Sequence, residues 1–150
     1  MAFRSYKKYN LVTVIVGCGR LGTHIANILS EQGEGVVVID LSRDAFRQLS
    51  PSFNGIIVTG DATDLAVLEE AALNKANALV AVTGHANTNI MVAQMAKKLY
   101  NVPRVITRLY EPELECVFKE YDIETISPLL LSTKEIECLL DSEVDNEVTK

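Results

Sequence analysis

The feature that most narrows what this chain can fold into is Gly17-Cys18-Gly19-Arg20-Leu21-Gly22, a G-x-G-x-x-G set between two different periodicities. Before it, Leu11-Val12-Thr13-Val14-Ile15-Val16 is an apolar, β-branched run without alternation, the pattern of a strand buried on both faces. After it, Leu21, Ile25, Ile28 and Leu29 recur at helical spacing, and Gly33 and Gly35 are expected to stop the helix. A buried strand that turns through glycines directly into an amphipathic helix is the opening of a βαβ unit.

The remaining sequence repeats that alternation. Val36-Val37-Val38-Ile39 reads as a second buried strand ending at Asp40. A short helix follows, with Ser42 as N-cap, Phe46 and Leu49 inward and Pro51 as breaker. Ile56-Ile57-Val58-Thr59 is a third strand ending at Gly60-Asp61, and Thr63 or Asp64 caps a helix carrying Leu65, Leu68 and Ala72. Residues 78–83 form a fourth strand, about 87–100 a helix, and 104–108 a fifth strand. Pro112 suits the first turn of a helix with Leu114, Val117, Phe118 and Tyr121. A short sixth strand, 124–126, precedes a last helix opened by Ser132 or Thr133. Crossovers of this length demand parallel strands with right-handed connections. The expected fold is α/β: a doubly wound, Rossmann-like parallel sheet of six strands in order 3-2-1-4-5-6, with helices on both faces.

In such a sheet the carboxyl ends of the strands form the site. Gly17 permits the tight turn, Gly19 lets a diphosphate approach the backbone, and Gly22 lets helix and strand pack closely. The N–H groups at the helix start then face the phosphates. Asp40, 18 residues after Gly22, is placed to accept hydrogen bonds from both ribose hydroxyls. It would repel a 2′-phosphate, an inference tempered by nearby Arg43. Asp61 reaches the adenine edge or caps the next helix. Thr83 and Gly84 flank the diphosphate loop. Arg108 meets phosphate or the second half of a dinucleotide, or makes a surface ion pair. Cys18 is expected to be a small packing residue. With Arg20 and Leu21 of the motif and with Leu41 and Ala62, these residues make up the expected nucleotide-contacting set.

Composition limits the alternatives. One hundred and fifty residues leave room for one domain. A net charge of −6 argues against general nucleic-acid binding. Cys18, Cys116 and Cys138 match neither a disulfide framework nor a zinc spacing. No apolar run approaches the roughly 20 residues of a membrane span, and the first eight residues lack a signal-peptide core, so a soluble, cytoplasmic protein is expected. His24 falls within the first helix, and His85 is the one histidine placed for proton transfer. With no nucleophile elbow, no His-Glu-x-x-His and no Gly-Lys-Ser/Thr, a bound nucleotide is expected to be sensed and not consumed. The alternative is the cofactor-binding domain of an NAD-dependent oxidoreductase.

The residues also resemble a known family. Val14-Ile15-Val16-Gly17-Cys18-Gly19-Arg20-Leu21-Gly22, Val38-Ile39-Asp40, Gly60-Asp61-Ala62-Thr63, Ala81-Val82-Thr83 with Asn89, Val105-Ile106-Thr107-Arg108 and Ile126-Ser127-Pro128 resemble the N-terminal nucleotide-binding lobe of the regulator-of-conductance-of-potassium (RCK) domain. Such lobes occur in the cytoplasmic subunits of Trk and Ktr potassium uptake systems. The resemblance implies binding of ATP, ADP, AMP or NAD(H). It also implies pairing into a homodimer or a higher ring, and gating of a separate membrane pore subunit to which the protein is peripheral. It implies that Arg20 reaches the terminal phosphate of a nucleotide in the neighbouring subunit. Leu129 stands where many members have an acid linked to a cation, so no metal is expected. Members usually carry a second lobe, so a single-lobe member or a fragment is expected.

Charge divides the chain into a polar basic arm (1–10), the nucleotide-binding domain (11–141) and an acidic tail (142–150). Leu129-Leu130-Leu131 and the stripe of Ile136, Leu139 and Leu140 lack an obvious core. They either fold back on their own sheet or cross to a second subunit.

Overall fold

The computed structural model describes residues 11–147, with side chains through Asp141. The basic arm and the last three residues lie outside the described residues. Six parallel strands, β1 (Val12–Val16), β2 (Gly35–Asp40), β3 (Ile56–Thr59), β4 (Ala78–Ala81), β5 (Arg104–Arg108) and β6 (Glu124–Ile126), form one sheet in order β3-β2-β1-β4-β5-β6. The helices are α1 (Arg20–Glu31), α2 (Leu65–Glu70), α3 (Ala86–Lys98), α4 (Glu115–Glu120) and α5 (Pro128–Glu147). Strand order reverses between β1 and β4, which pair in register from Thr13 with Ala78 to Val16 with Ala81. A crevice therefore opens where the chain leaves these two strands in opposite directions.

The continuous apolar runs are explained by burial on both sides. Val14, Val37, Ile39, Leu79 and Val105 face one layer, where they pack with Leu68, Val92, Ala93 and Phe118 from α2, α3 and α4. Ile15, Val36, Val38 and Val80 face the other layer, against Leu21, Ile25 and Leu29 of α1 and Phe46. Each large side chain sealed in this way stabilises the fold by roughly 1.5–3 kcal/mol.

The departures from the expected boundaries have local causes. Gly33, with φ +80°, ends α1, whereas Gly35 already belongs to β2 opposite Val12. The segment after Asp40 is a 3-10 helix, Arg43–Gln48, closed by a Leu49 N–H to Phe46 carbonyl bond. Asp64, not Thr63, caps α2 by accepting from the Ala66 N–H at 2.9 Å. Pro112 opens a single 3-10 turn, Pro112–Leu114, ahead of α4. β4 stops at Ala81 because Thr83 turns its N–H to the Asn89 side chain and away from a neighbouring strand. The last helix starts four residues before Ser132: Pro128 fits a first helical position, and Ser127 Oγ accepts from the Leu130 N–H.

Candidate functional site

Three chain segments that end adjacent strands build a cleft of about 390 Å³. From β1 come Val16, Gly17 and Gly19; from β2, Ile39, Asp40 and Leu41; from β3, Gly60, Asp61, Ala62 and Thr63. Val82, Thr83, Gly84, His85 and Thr88 close it from β4 and α3. The volume falls at the lower end of small-molecule sites, about 300–1,000 Å³.

The glycine turn is shaped by close backbone packing. Gly17 has φ +102°, and a Cβ there would lie 3.0 Å from the Thr83 backbone. A Cβ on Gly22 would collide with the Gly17 carbonyl oxygen. At Gly19 nothing lies within 4 Å of where a Cβ would stand, so the cleft is open to that backbone. Gly19 is also the N-cap of α1 and offers no side-chain cap, and no acid occupies the first turn. Uncapped N–H groups and the positive end of a 12-residue helix therefore border the cleft, an arrangement that attracts anions.

Asp40 sits across from that turn and helps build it. Its Oδ2 accepts from the Cys18 N–H at 2.7 Å and its Oδ1 from the Ser42 N–H at 2.8 Å. A carboxylate has about four acceptor positions. Two remain for hydroxyl donors. Asp61 is exposed and takes both the N–H and hydroxyl of Thr63 on one oxygen, at 2.8 and 2.7 Å. These bonds hold its carboxyl below the ordinary carboxylate value, so it stays an anion. Asp64 does the capping, so Asp61, which lines the cleft, is not needed as the cap of α2.

Of the residues expected at the site, Gly17, Gly19, Asp40, Leu41, Asp61, Ala62, Thr83 and Gly84 line the cleft together. Cys18 takes part through its N–H alone. Its thiol is sealed beneath the turn, 3.5 Å from the Thr23 hydroxyl and 3.6 Å from the Ala45 carbonyl. Burial pushes that thiol's pKa up; the Thr23 hydrogen bond opposes this and the Asp40 charge adds to it. Gly22 packs the helix onto the turn. Leu21 points into the opposite layer, beneath α1. Arg20 is exposed at the start of α1 and Arg43 is exposed on the 3-10 helix, both outside the lining. Arg108 lies beside a separate small cavity, with its guanidinium 4.8 Å from the Tyr110 ring centre.

Other cleft residues were not singled out in sequence. Val16, Ile39 and Val82 supply an apolar floor because each lies at or next to the carboxyl end of a buried strand, a position legible once the strands are known. Thr88 enters through the first turn of α3. His85 lines the cleft as expected of its loop, and His24 is exposed on α1. Among the described residues, no group of three or more His, Cys, Asp or Glu is placed to hold a metal ion. No helix among them is long and apolar enough to cross a membrane.

Residues 13–128 match the family model of the TrkA-N domain. The chain is 40% identical over 114 residues to the Trk system potassium uptake protein TrkA of Streptomyces coelicolor, covering 76% of this chain and 51% of that protein. It is 35% identical over 124 residues to the TrkA homolog of Pyrococcus horikoshii, covering 82% and 54%. The chain thus spans about half the length of these curated relatives. Among solved structures the fold is shared with the GsuK channel bound to NAD (TM-score 0.75, 22% identity, 89% of this chain and 24% of that one). It is shared with GsuK bound to ADP (0.73, 22%, 92% and 36%) and with the Shewanella denitrificans Kef C-terminal domain in an AMP-bound form (0.72, 21%, 86% and 80%).

Proposed function

The chain belongs to the TrkA-N domain family, and from that premise we propose that it is the nucleotide-sensing lobe of a cytoplasmic regulatory subunit that gates a separate potassium-transporting pore. The observation that carries the nucleotide reading is the pairing of an uncapped glycine turn with Asp40 across one cleft. A diphosphate would lie on the N–H groups of the turn, a ribose would share the Asp40 carboxylate, and the base would rest by Leu41, Asp61 and Ala62. The ligand is an adenine nucleotide, ATP, ADP, AMP or NAD(H). The negative charge of Asp40 disfavours a 2′-phosphate.

Sensing, without turnover, is the role that fits potassium uptake relatives. Gating then requires that two nucleotides stabilise two arrangements of the assembly by different amounts. Arg20 suits the discrimination: it is exposed at the lip of the turn and carries forked donors for a terminal phosphate held by a neighbouring lobe. The lobe would pair through α5. Leu129, Leu130, Leu131, Ile136, Leu139 and Leu140 are all exposed in the single chain, so α5 does not fold back to bury them. Crossing to a second copy would cover them in a self-complementary interface.

The test is calorimetry with ATP, ADP, AMP, NADH and NADPH, together with mass spectrometry of any ligand that co-purifies. Binding of the first four with NADPH weakest is expected, and Arg20→Ala should weaken ATP more than ADP in the assembled protein. Failure of every adenine nucleotide to bind would overturn the proposal. Equal weakening of ATP and ADP would remove Arg20 from it.

A further inference from the structure

We propose that Asn89 and Tyr110 are positioning residues for the phosphate side of the cleft: from outside the lining, they clamp the Thr83 peptide against the glycine turn. The inference rests on the nucleotide reading above.

Thr83 lies beyond the end of β4, so no strand fixes its peptide groups. Two side chains do so instead. Asn89 on α3 accepts the Thr83 N–H at 2.9 Å, lies 2.7 Å from the Thr83 hydroxyl, and returns its own N–H to the Thr83 carbonyl at 3.1 Å. Its amide also reaches the Arg108 carbonyl at 3.4 Å, tying the ends of β4 and β5 together. Asn89 is completely buried. A polar amide in that position is destabilising unless its donors and acceptors are used, and here both ends are. The Tyr110 hydroxyl donates a second bond to the Thr83 carbonyl, at 2.9 Å, from the loop after β5.

The other side of Thr83 is the glycine turn. Its backbone stands so close to Gly17 that a single added carbon would meet it at 3.0 Å. The clamped peptide is therefore a wall that sets how far the turn can relax. The ribose and base side has its own supports, Cys18 and Ser42 on Asp40 and Thr63 on Asp61. Because neither Asn89 nor Tyr110 takes part in those supports, loosening Thr83 should disturb contacts to phosphate and leave contacts to the nucleoside in place. A general loss of stability would weaken both.

Tyr110→Phe deletes one hydroxyl from a partly exposed ring and keeps the ring beneath Arg108, so folding is preserved. Asn89→Asp keeps the acceptor for the Thr83 N–H and removes the donors. Each variant is measured against ADP by calorimetry and against adenosine by ligand-observed NMR, with thermal melts alongside. Tyr110→Phe should lower ADP affinity about three- to tenfold, the loss of one hydrogen bond, with adenosine affinity unchanged. Asn89→Asp should lower ADP affinity further. Unchanged ADP binding by Tyr110→Phe, or an equal loss for ADP and adenosine, overturns the clamp while the nucleotide reading stands. Absence of ADP and NADH binding by the wild-type chain overturns both.

Discussion

The two layers flanking the sheet differ in completeness. On one side, Val14, Leu79 and Val105 are sealed by α2, α3 and α4, and Leu68, Leu73 and Val92 are fully buried there. On the other, α1 and the 3-10 helix cover β1 and β2, but the layer stays open toward β5 and β6. An apolar cleft of about 600 Å³ remains, lined by residues that include Leu11, Ile25, Leu29, Val80, Ile106 and Ile126. The exposed leucines of α5 belong to the same chain. One layer supplies stability within the chain. The other leaves apolar surface uncovered within the chain, and under the proposed pairing a second copy would finish it. The candidate cleft sits at the strand ends, and no residue of α5 lines it.

The largest effect should come from the closed layer. Leu79→Ala removes a fully buried side chain and should cost about 2–5 kcal/mol in urea unfolding. A cost below 1 kcal/mol would mean that this layer is not the stabilising one. On the open side the response should be in association: truncation after Pro128 should give a folded monomer by sedimentation that still binds nucleotide. A truncated protein that stays dimeric breaks the contrast, and one that fails to fold shows that α5 stabilises its own chain.

Smaller effects sharpen the account. Thr107 is completely buried in the closed layer and its hydroxyl has no hydrogen-bond partner. Thr107→Val should therefore stabilise the protein, by about 1 kcal/mol. Destabilisation would show that the hydroxyl has a partner. Beneath the turn, the Cys18 pKa is raised above 9.0 by burial, so the folded chain keeps a proton that the unfolded chain gives up. Its contribution to stability is present below pH 9 and declines as pH rises through the folded value. Cys116 and Cys138 are exposed. At pH 8 alkylation of the native protein should modify these two and spare Cys18, which should react once the chain is denatured.

How much was legible in sequence depended on how local each cause is. β3, β5 and β6 occupy the residues read from the pattern, because turn residues or a proline bound each run. The places of Asp40 and the glycine turn at the cleft were legible because they follow from order along the chain. The end of β4 was not: it is set by Asn89, whose amide reaches Thr83 only after α3 has packed. Tyr110 was invisible for the same reason, since its partner is 27 residues away. Leu21 shows the converse. It lies inside the motif, yet helical spacing turns its side chain to the opposite layer.

Asp40 tests the central claim most directly, because it braces the turn and, under the proposed reading, would also bind the ribose. Calorimetry of Asp40→Ala against wild type should show ADP and NADH affinity reduced by roughly 1–3 kcal/mol, with the variant still folded. Unchanged affinity for both ligands would contradict the claim that this cleft holds a nucleotide by its ribose and phosphates.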